Sequence, residues 1–133
     1  MNKPQLFPSV IYRDFDAGAA FLKQLGFDEV LVVRNESDPT RVEHSQFRWR
    51  DNGGLMAGSV RPEKQHAAED RVGRGNCYLV LASDVEVDEV YARAMAAGGV
   101  STQEPTEMDY GGRSAGVRDP EGNEWNLGSY AGE

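Results

Sequence analysis

In the first half of the chain, the spacing of hydrophobic residues changes from that of a strand to that of a helix and back to that of strands. This pattern predicts the secondary structure of the first half. Residues 6–12 form an apolar run typical of a strand. Apolar residues then recur at helical spacing from residue 17, after Asp14 or Asp16, either of which can cap a helix. The predicted segments are a strand at 6–12, a helix that ends at Gly26, strands at 27–34, 42–50 and 55–60, and a hairpin turn at 51–54.

The second half repeats this order. Ser83 and Glu86 have the spacing of a capping box, in which each residue bonds the other's backbone. The predicted segments are a strand at 77–82, a helix with apolar face Val87, Val90, Tyr91, Ala94 and Met95, a strand from Val100, a loop at 103–112, and strands at 113–118 and 123–130. Residues 61–75 are polar and aperiodic, which favours a linker.

Three features of the first half recur about 70 residues later in the second half, which indicates an internal duplication. Asp14 and Asp84 are 70 residues apart, the glycines Gly26 and Gly99 are 73 apart, and the hairpin residues Asp51 and Asp119 are 68 apart. A chain of 133 residues favours a single domain, so we expect one α+β domain over 1–133. Module one is expected at about 5–61, the linker at about 62–75, and module two at about 76–131.

Composition restricts the partners and the compartment. The chain has 22 acidic and 14 basic residues and a net charge of −8, which disfavours nucleic acids and anionic membranes. Its single cysteine, Cys77, excludes an intramolecular disulfide and a zinc site built from cysteines. The first residues lack the apolar stretch of a signal peptide, and no apolar run is long enough for a transmembrane helix. We therefore expect a cytoplasmic protein.

Short motifs at the helix ends and at the last hairpin carry a family resemblance. They are Leu25-Gly26-Phe27, Ala97-Gly98-Gly99, Tyr110-Gly111-Gly112-Arg113 and Asp119-Pro120-Glu121-Gly122-Asn123. In order and spacing they resemble the glyoxalase, bleomycin resistance and extradiol dioxygenase (vicinal oxygen chelate) superfamily, especially its short glyoxalase-like bacterial members, over about residues 6–130. The resemblance implies two βαβββ modules forming an open, U-shaped mixed β-barrel with helices outside. It also implies a homodimer that shares its pocket between chains.

Metal enzymes of that superfamily hold a metal with His, Glu or Gln on the first and last strands of a module. Counting from the aspartates that follow the first strand and begin the hairpin turn, the corresponding positions are Phe7, Gly58, Cys77 and Asn126. These side chains offer a hard divalent ion almost no suitable ligand. We therefore predict no metal and no cofactor.

Seven residues are the predicted contacts for a small organic molecule. They are Phe7, His44, Gln46, Met56, Cys77, Tyr110 and Asn126. His44 on the third strand is either an acid–base or hydrogen-bonding group in the pocket or a strand histidine satisfied by a neighbour. Cys77 favours a core position over a nucleophile, because the sequence shows no base beside it. Trp49 and Trp125 favour the core over ligand stacking, and His66 is expected in solvent.

Three functions fit these residues. The leading hypothesis is a metal-independent protein that binds a small aromatic or cationic ligand, as in the sequestration of an antibiotic. The alternative is a metal-dependent lyase, isomerase or dioxygenase of the same superfamily, in which His44 would be a ligand beside Gln46. The third is a regulatory or partner-binding module with a vestigial pocket. Catalysis is left open, since fold does not imply function.

Overall fold

Two copies of one strand–helix–strand–strand–strand unit make up the chain in the computed structural model, which describes residues 3–133. Module one contains β1 (Ser9–Tyr12), α1 (Phe15–Leu25), β2 (Asp28–Arg34), β3 (Val42–Trp49) and β4 (Gly53–Ser59). Module two contains β5 (Asn76–Val80), α2 (Asp84–Ala96), β6 (Val100–Glu107), β7 (Arg113–Arg118) and β8 (Glu124–Gly128). Two single-turn 3₁₀ helices lie in the connecting segment, at Gln65–Ala67 and Glu69–Arg71. The α+β class and the duplicated βαβββ order are confirmed.

Each module has its own mixed four-stranded sheet. The strand orders are β1-β4-β3-β2 and β5-β8-β7-β6, so the two sheets are equivalent strand by strand. The first strand of each module lies parallel to the last one, and the other neighbours are antiparallel. The described residues thus form two separate sheets, and one chain does not close them into a barrel.

Side-chain caps begin both helices as the sequence predicts. The Asp14 carboxylate accepts a hydrogen bond from the Ala17 backbone N–H at 3.1 Å, and the Ser83 hydroxyl accepts one from Glu86 at 3.2 Å. The capping box at α2 is only half formed, because the Glu86 carboxylate pairs with Arg50 of the module one hairpin. This ion pair joins the two modules.

One hydrophobic core lies between the helix-covered faces of the two sheets. The two helices contact each other, and buried residues of every strand except β2 and β6 join the same cluster. Phe27 lies between the two tryptophans, with ring centroids 5.0 Å from Trp49 and 5.6 Å from Trp125. Both tryptophans are therefore core residues, as predicted. Met95 is instead 38% exposed, because α2 buries only the narrow stripe at Val87, Val90 and Ala94.

The other face of each sheet carries no helix and points away from this core. We call these surfaces open face one, on module one, and open face two, on module two. Apolar side chains remain exposed on them, including Leu31 and Val33 on β2 and Tyr78 on β5. Most of the predicted site residues lie on these two faces.

A buried carboxylate connects the modules. Asp119 is 2% exposed and accepts hydrogen bonds from the Tyr12 hydroxyl at 2.7 Å, the Asn123 amide at 3.1 Å and the Trp125 indole N–H at 3.2 Å. The backbone N–H groups of Glu121 and Asn123 also donate to it, each at 3.0 Å. Burial and the Asp119 charge together raise the pKa of Tyr12 well above its usual value, so Tyr12 remains a donor.

The start of β1 and the end of β6 differ from the prediction by three or more residues. β1 begins at Ser9 rather than at residue 6, although the Pro8 carbonyl already accepts from Met56. β6 continues to Glu107 through a segment that the sequence predicts as loop. Pro105 fits there because β6 is an edge strand, with irregular pairing to β7 on its inner side. Within residues 3–133, no helix is long and apolar enough to cross a membrane.

The inter-module hydrogen bond can be tested with Tyr12→Phe, which deletes only the hydroxyl that reaches Asp119. Because the acceptor is a buried charge, we expect a loss of about 1.5–3 kcal/mol in the free energy of unfolding, measured by urea denaturation. Tyr91→Phe is the control, since Tyr91 donates to the neutral Ser101 hydroxyl within module two and should cost about 0.5–1.5 kcal/mol. Equal costs for the two variants would contradict the role assigned to Asp119.

Candidate functional site

Three predicted site residues come together on open face one. Gln46 of β3 lies opposite Met56 of β4, and the Gln46 and His44 side-chain nitrogens are 3.0 Å apart. Leu31 and Val33 of β2 flank this pair and are 43% and 42% exposed. Open face one therefore presents a hydrogen-bonding imidazole–amide pair within an apolar surface.

Phe7 lies at the end of the same surface, against the backbone of β4. A Cβ atom added to Gly54 would lie 2.5 Å from the Phe7 ring, so only glycine lets the ring approach this closely. Gly54 pairs with Arg48 on the neighbouring strand. Phe7 thus extends the apolar surface beyond Met56, and Arg48 lies beside it on the same face.

Two of the three predicted residues of module two, Asn126 and Tyr110, lie on open face two. Asn126 of β8 pairs with Tyr78 of β5, and its amide donates to the Asn76 side-chain oxygen at 3.0 Å. The Tyr78 hydroxyl donates to the Tyr130 carbonyl at 2.7 Å. Tyr110 is 57% exposed and packs edge-on against the Tyr130 ring at 5.2 Å. Open face two is therefore an aromatic surface with amide and hydroxyl groups.

Tyr78 was not among the residues predicted from the sequence. Side chains of successive residues in a strand point to opposite faces of the sheet, so Tyr78 points away from the face that carries Cys77 and Leu79. This alternation is the sequence signal that could have identified Tyr78. Cys77 pairs with Trp125, so it lies on the core side of the sheet rather than on open face two. It is half-buried, and burial raises the pKa of its thiol, which argues against an activated nucleophile.

The strand register also corrects the expected equivalence between the modules. Gln46 lies opposite Met56, and Gly116 lies opposite Asn126, so Met56 rather than Gly58 is the counterpart of Asn126. The cause is the landmark used for counting: ten positions separate Gln46 from Met56 and Gly116 from Asn126, so Trp49 rather than Asp51 is the counterpart of Asp119. The last paired residues are Trp49 and Gly53 in module one but Arg118 and Glu124 in module two. Gly53 and Gly54 accordingly belong to β4 and not to the turn.

The open-face residues do not fit a divalent metal. The pairs Ser9 with Met56 and Tyr78 with Asn126 on the first and last strands bring no carboxylate or imidazole, and the Glu124 carboxylate opposite Asn76 is paired with Arg118. His44 has only the Gln46 amide beside it. In residues 3–133, no group of three or more His, Cys, Asp or Glu side chains could hold a metal ion. Hard divalent ions prefer carboxylate-rich oxygen ligands, and zinc prefers thiolate or imidazole sets.

One chain does not gather the predicted residues into a single site. His44, Gln46, Met56 and Phe7 belong to open face one, and Asn126 and Tyr110 to open face two. Cys77 instead lines an apolar cavity of about 330 Å³ where the two modules meet. The residues that line this cavity are Leu6, Pro8, Phe27, Trp49, Asn52, Gly53, Gly54, Leu55, Cys77, Tyr78 and Leu79. His66 is exposed, as predicted.

Comparison with known proteins establishes the family. A sequence profile of the glyoxalase/bleomycin resistance protein/dioxygenase superfamily matches residues 7–127. The chain belongs to this superfamily, which confirms the resemblance carried by the sequence motifs. No protein of curated function matches the sequence significantly.

Solved structures share the fold over nearly the whole chain. TioX from Micromonospora sp. ML1 is 24% identical, with a TM-score of 0.70 over 92% of this chain and 95% of that one. A bleomycin resistance determinant encoded on the transposon Tn5 is 25% identical, with a TM-score of 0.61 over 96% and 98%. Lactoylglutathione lyase from Agrobacterium tumefaciens is 22% identical, with a TM-score of 0.64 over 94% and 93%. The same fold thus occurs in a lyase and in a bleomycin resistance determinant, so the function of this chain must be argued from its own residues.

The contact between Phe7 and Gly54 can be tested with Gly54→Ala. The added methyl group would clash with the Phe7 ring and with Pro4, so we expect a loss of about 1–3 kcal/mol in the free energy of unfolding. Gly58→Ala on the same strand is the control, because its added Cβ would lie 3.4 Å from the nearest atom, an ordinary contact. That variant should be neutral or more stable by about 0.4–1 kcal/mol. Chemical denaturation that ranks the two variants equally would contradict the assigned position of Phe7.

Proposed function

We propose that this protein binds a small organic ligand without a metal, in a cleft that open face one forms with open face two of a second copy. The observation that carries this proposal is the chemistry of the open faces. The superfamily's metal enzymes need chelating side chains, whereas these surfaces offer aromatic and aliphatic contacts with a few hydrogen-bonding groups. Such a combination suits ligand binding, in which apolar walls supply affinity and polar groups fix orientation.

Each predicted residue has a role in this proposed cleft. Phe7 and Met56 supply the apolar wall, and His44 and Gln46 supply paired hydrogen-bonding groups beside it. Tyr110 would close the cleft from the second copy. Asn126 would supply an amide from that copy, and the Tyr78 ring lies beside it.

The ligand class follows from these walls and from the charge of the chain. Aromatic side chains favour flat rings, and they also attract organic cations through their π faces. The net charge of −8 adds a weak, salt-sensitive attraction for cations. The structural neighbour encoded on the transposon Tn5 is a bleomycin resistance determinant, and sequestration of an antibiotic is the form of binding that we propose first.

A homodimer is part of the proposal. Leu31 and Val33 on open face one, and Tyr78 and Val80 on open face two, are large apolar side chains left exposed in the single chain. Covering them with a second copy would bury apolar area and bring both halves of the cleft together.

Ligand binding can be tested by thermal denaturation with a panel of flat aromatic and cationic compounds, including bleomycin. A compound at 100 times its Kd stabilises the folded protein by about 2.7 kcal/mol, so a hit should raise Tm clearly. His44→Ala and Gln46→Ala should each reduce the shift, while His66→Ala, which changes an exposed histidine outside the cleft, should leave it unchanged. A panel without any stabilising compound would count against ligand binding.

The same assay separates binding from metal-dependent catalysis. Ni²⁺, Zn²⁺, Mn²⁺ and Fe²⁺ are added in place of the compounds, and bound metal is measured by elemental analysis. We expect no stoichiometric metal. One equivalent of metal that His44→Ala removes would instead favour the lyase, isomerase or dioxygenase alternative.

The dimer can be tested by light scattering coupled to size-exclusion chromatography. Wild-type protein should have twice the mass of the 14.6 kDa chain. Leu31→Glu, which places a charge on open face one, should shift the protein to the mass of a single chain. Val85→Glu is the control, because Val85 is exposed on α2, away from both open faces. Monomeric wild-type protein would contradict the shared cleft.

A further inference from the structure

The cavity between the modules lies apart from the proposed cleft. It is bounded by the start of β4, by β5 and by the segment before β1, and none of His44, Gln46, Met56 or Asn126 lines it. We propose that this cavity is a second binding site, which takes an uncharged aromatic molecule of two or three rings. The inference does not depend on the proposed function, because among the described residues that line the cavity only Tyr78 is also assigned to the cleft.

Size and lining support a small-molecule site. The cavity of about 330 Å³ lies within the range that ligand pockets usually have, about 300–1,000 Å³. Phe27, Trp49, Leu55 and Leu79 form its inner wall, and all four belong to the buried core. A ligand seated there would contact rigid core side chains, so little conformational freedom would be lost on binding.

The part of the cavity lining that the structure describes contains no charged side chain, and this determines the charge of the ligand that the cavity can bind. No Asp, Glu, Lys or Arg is found among the described residues that line the cavity. A charged group placed against this wall would lose its hydration without gaining an ion-pair partner. The cavity therefore selects an uncharged ligand, in contrast to the cation-compatible open faces.

The aromatic character follows from the two rings in the wall. Phe27 and Trp49 are tilted by 55° with their centroids 5.0 Å apart, and the Arg50 guanidinium lies over the Trp49 ring at 4.5 Å. A ligand ring would therefore contact the parts of the Phe27 and Trp49 rings that line the cavity. The Trp49 indole N–H already donates to the Val80 carbonyl at 3.1 Å, so it is used within the protein. Recognition then rests on shape and apolar contact, and the lining residues with polar side-chain groups are Asn52, Cys77 and Tyr78.

Cys77 makes the site measurable. It is the only cysteine in the chain, it is half-buried in the cavity wall, and a bound molecule would cover its sulfur. Burial also raises the pKa of its thiol, so alkylation is best followed at mildly alkaline pH. Protection of this thiol reports on the cavity alone.

The experiment uses N-phenyl-1-naphthylamine, an uncharged three-ring fluorophore, and its sulfonated analogue 8-anilinonaphthalene-1-sulfonate. We expect saturable fluorescence with the uncharged probe at one molecule per chain and at least tenfold weaker binding of the sulfonate. Saturating uncharged probe should slow iodoacetamide alkylation of Cys77 at least fivefold, as measured by mass spectrometry. An unchanged alkylation rate, or equal affinity for both probes, would overturn the proposal.

Two variants of Cys77 test whether the probe binds in the cavity. Cys77→Phe fills the space and should weaken binding of the uncharged probe at least tenfold, whereas Cys77→Ala keeps the cavity and should bind it as wild type does. His44→Ala should bind it unchanged, so a loss there would overturn the proposal by placing the probe on open face one. If Cys77→Phe does not fold, the alkylation measurement on wild-type protein decides alone.

Discussion

The Asp119 carboxylate determines how the two modules are held. It is a buried charge, and burial of a charge is tolerated only when hydrogen bonds replace the lost water. Module two supplies most donors, including Trp125, but the Tyr12 hydroxyl comes from the end of β1 in module one. Glu121, two residues further along the same turn, accepts hydrogen bonds from the Arg13 and Asp14 backbone N–H groups at 2.6 and 2.8 Å, where α1 begins. The last hairpin therefore fixes the entry to the first helix.

That attachment has a direct consequence for the site. With β1 and α1 held against the hairpin of module two, the helix-covered faces of both sheets meet in one core around Phe27. The opposite faces then point outward and keep His44 and Asn126 apart within one chain. A cleft that uses both faces needs a second copy, whereas the cavity beside Cys77 is complete in one chain. The two proposed sites thus depend on the same inter-module packing in different ways.

The duplication and both helix caps can be predicted from the sequence, because Asp14 and Ser83 act on residues three positions away. The face of the sheet to which each strand residue points is harder to predict, since an error of one residue in the alignment moves a side chain to the other face. Asp51 is not the counterpart of Asp119, because Arg48 pairs with Gly54 as Arg118 pairs with Glu124, and this moves the counterpart of Asn126 from Gly58 to Met56. Counting back from Asp84 does not show which of the neighbours Cys77 and Tyr78 faces the core. The pairing with β8 does, because Cys77 lies beside the buried Trp125 and Tyr78 lies beside Asn126.

The two modules share a backbone frame but have diverged in chemistry. Equivalent positions on their last strands carry the thioether of Met56 and the amide of Asn126, and the positions beside them carry Ser9 and Tyr78. In this superfamily the frame can bring chelating groups together from first and last strands, but the frame itself does not supply those groups. Here module one contributes an apolar surface with one imidazole–amide pair, and module two contributes aromatic rings with amides. Because the halves differ, the proposed cleft would favour a ligand whose two sides also differ, one apolar and one with hydrogen-bonding groups.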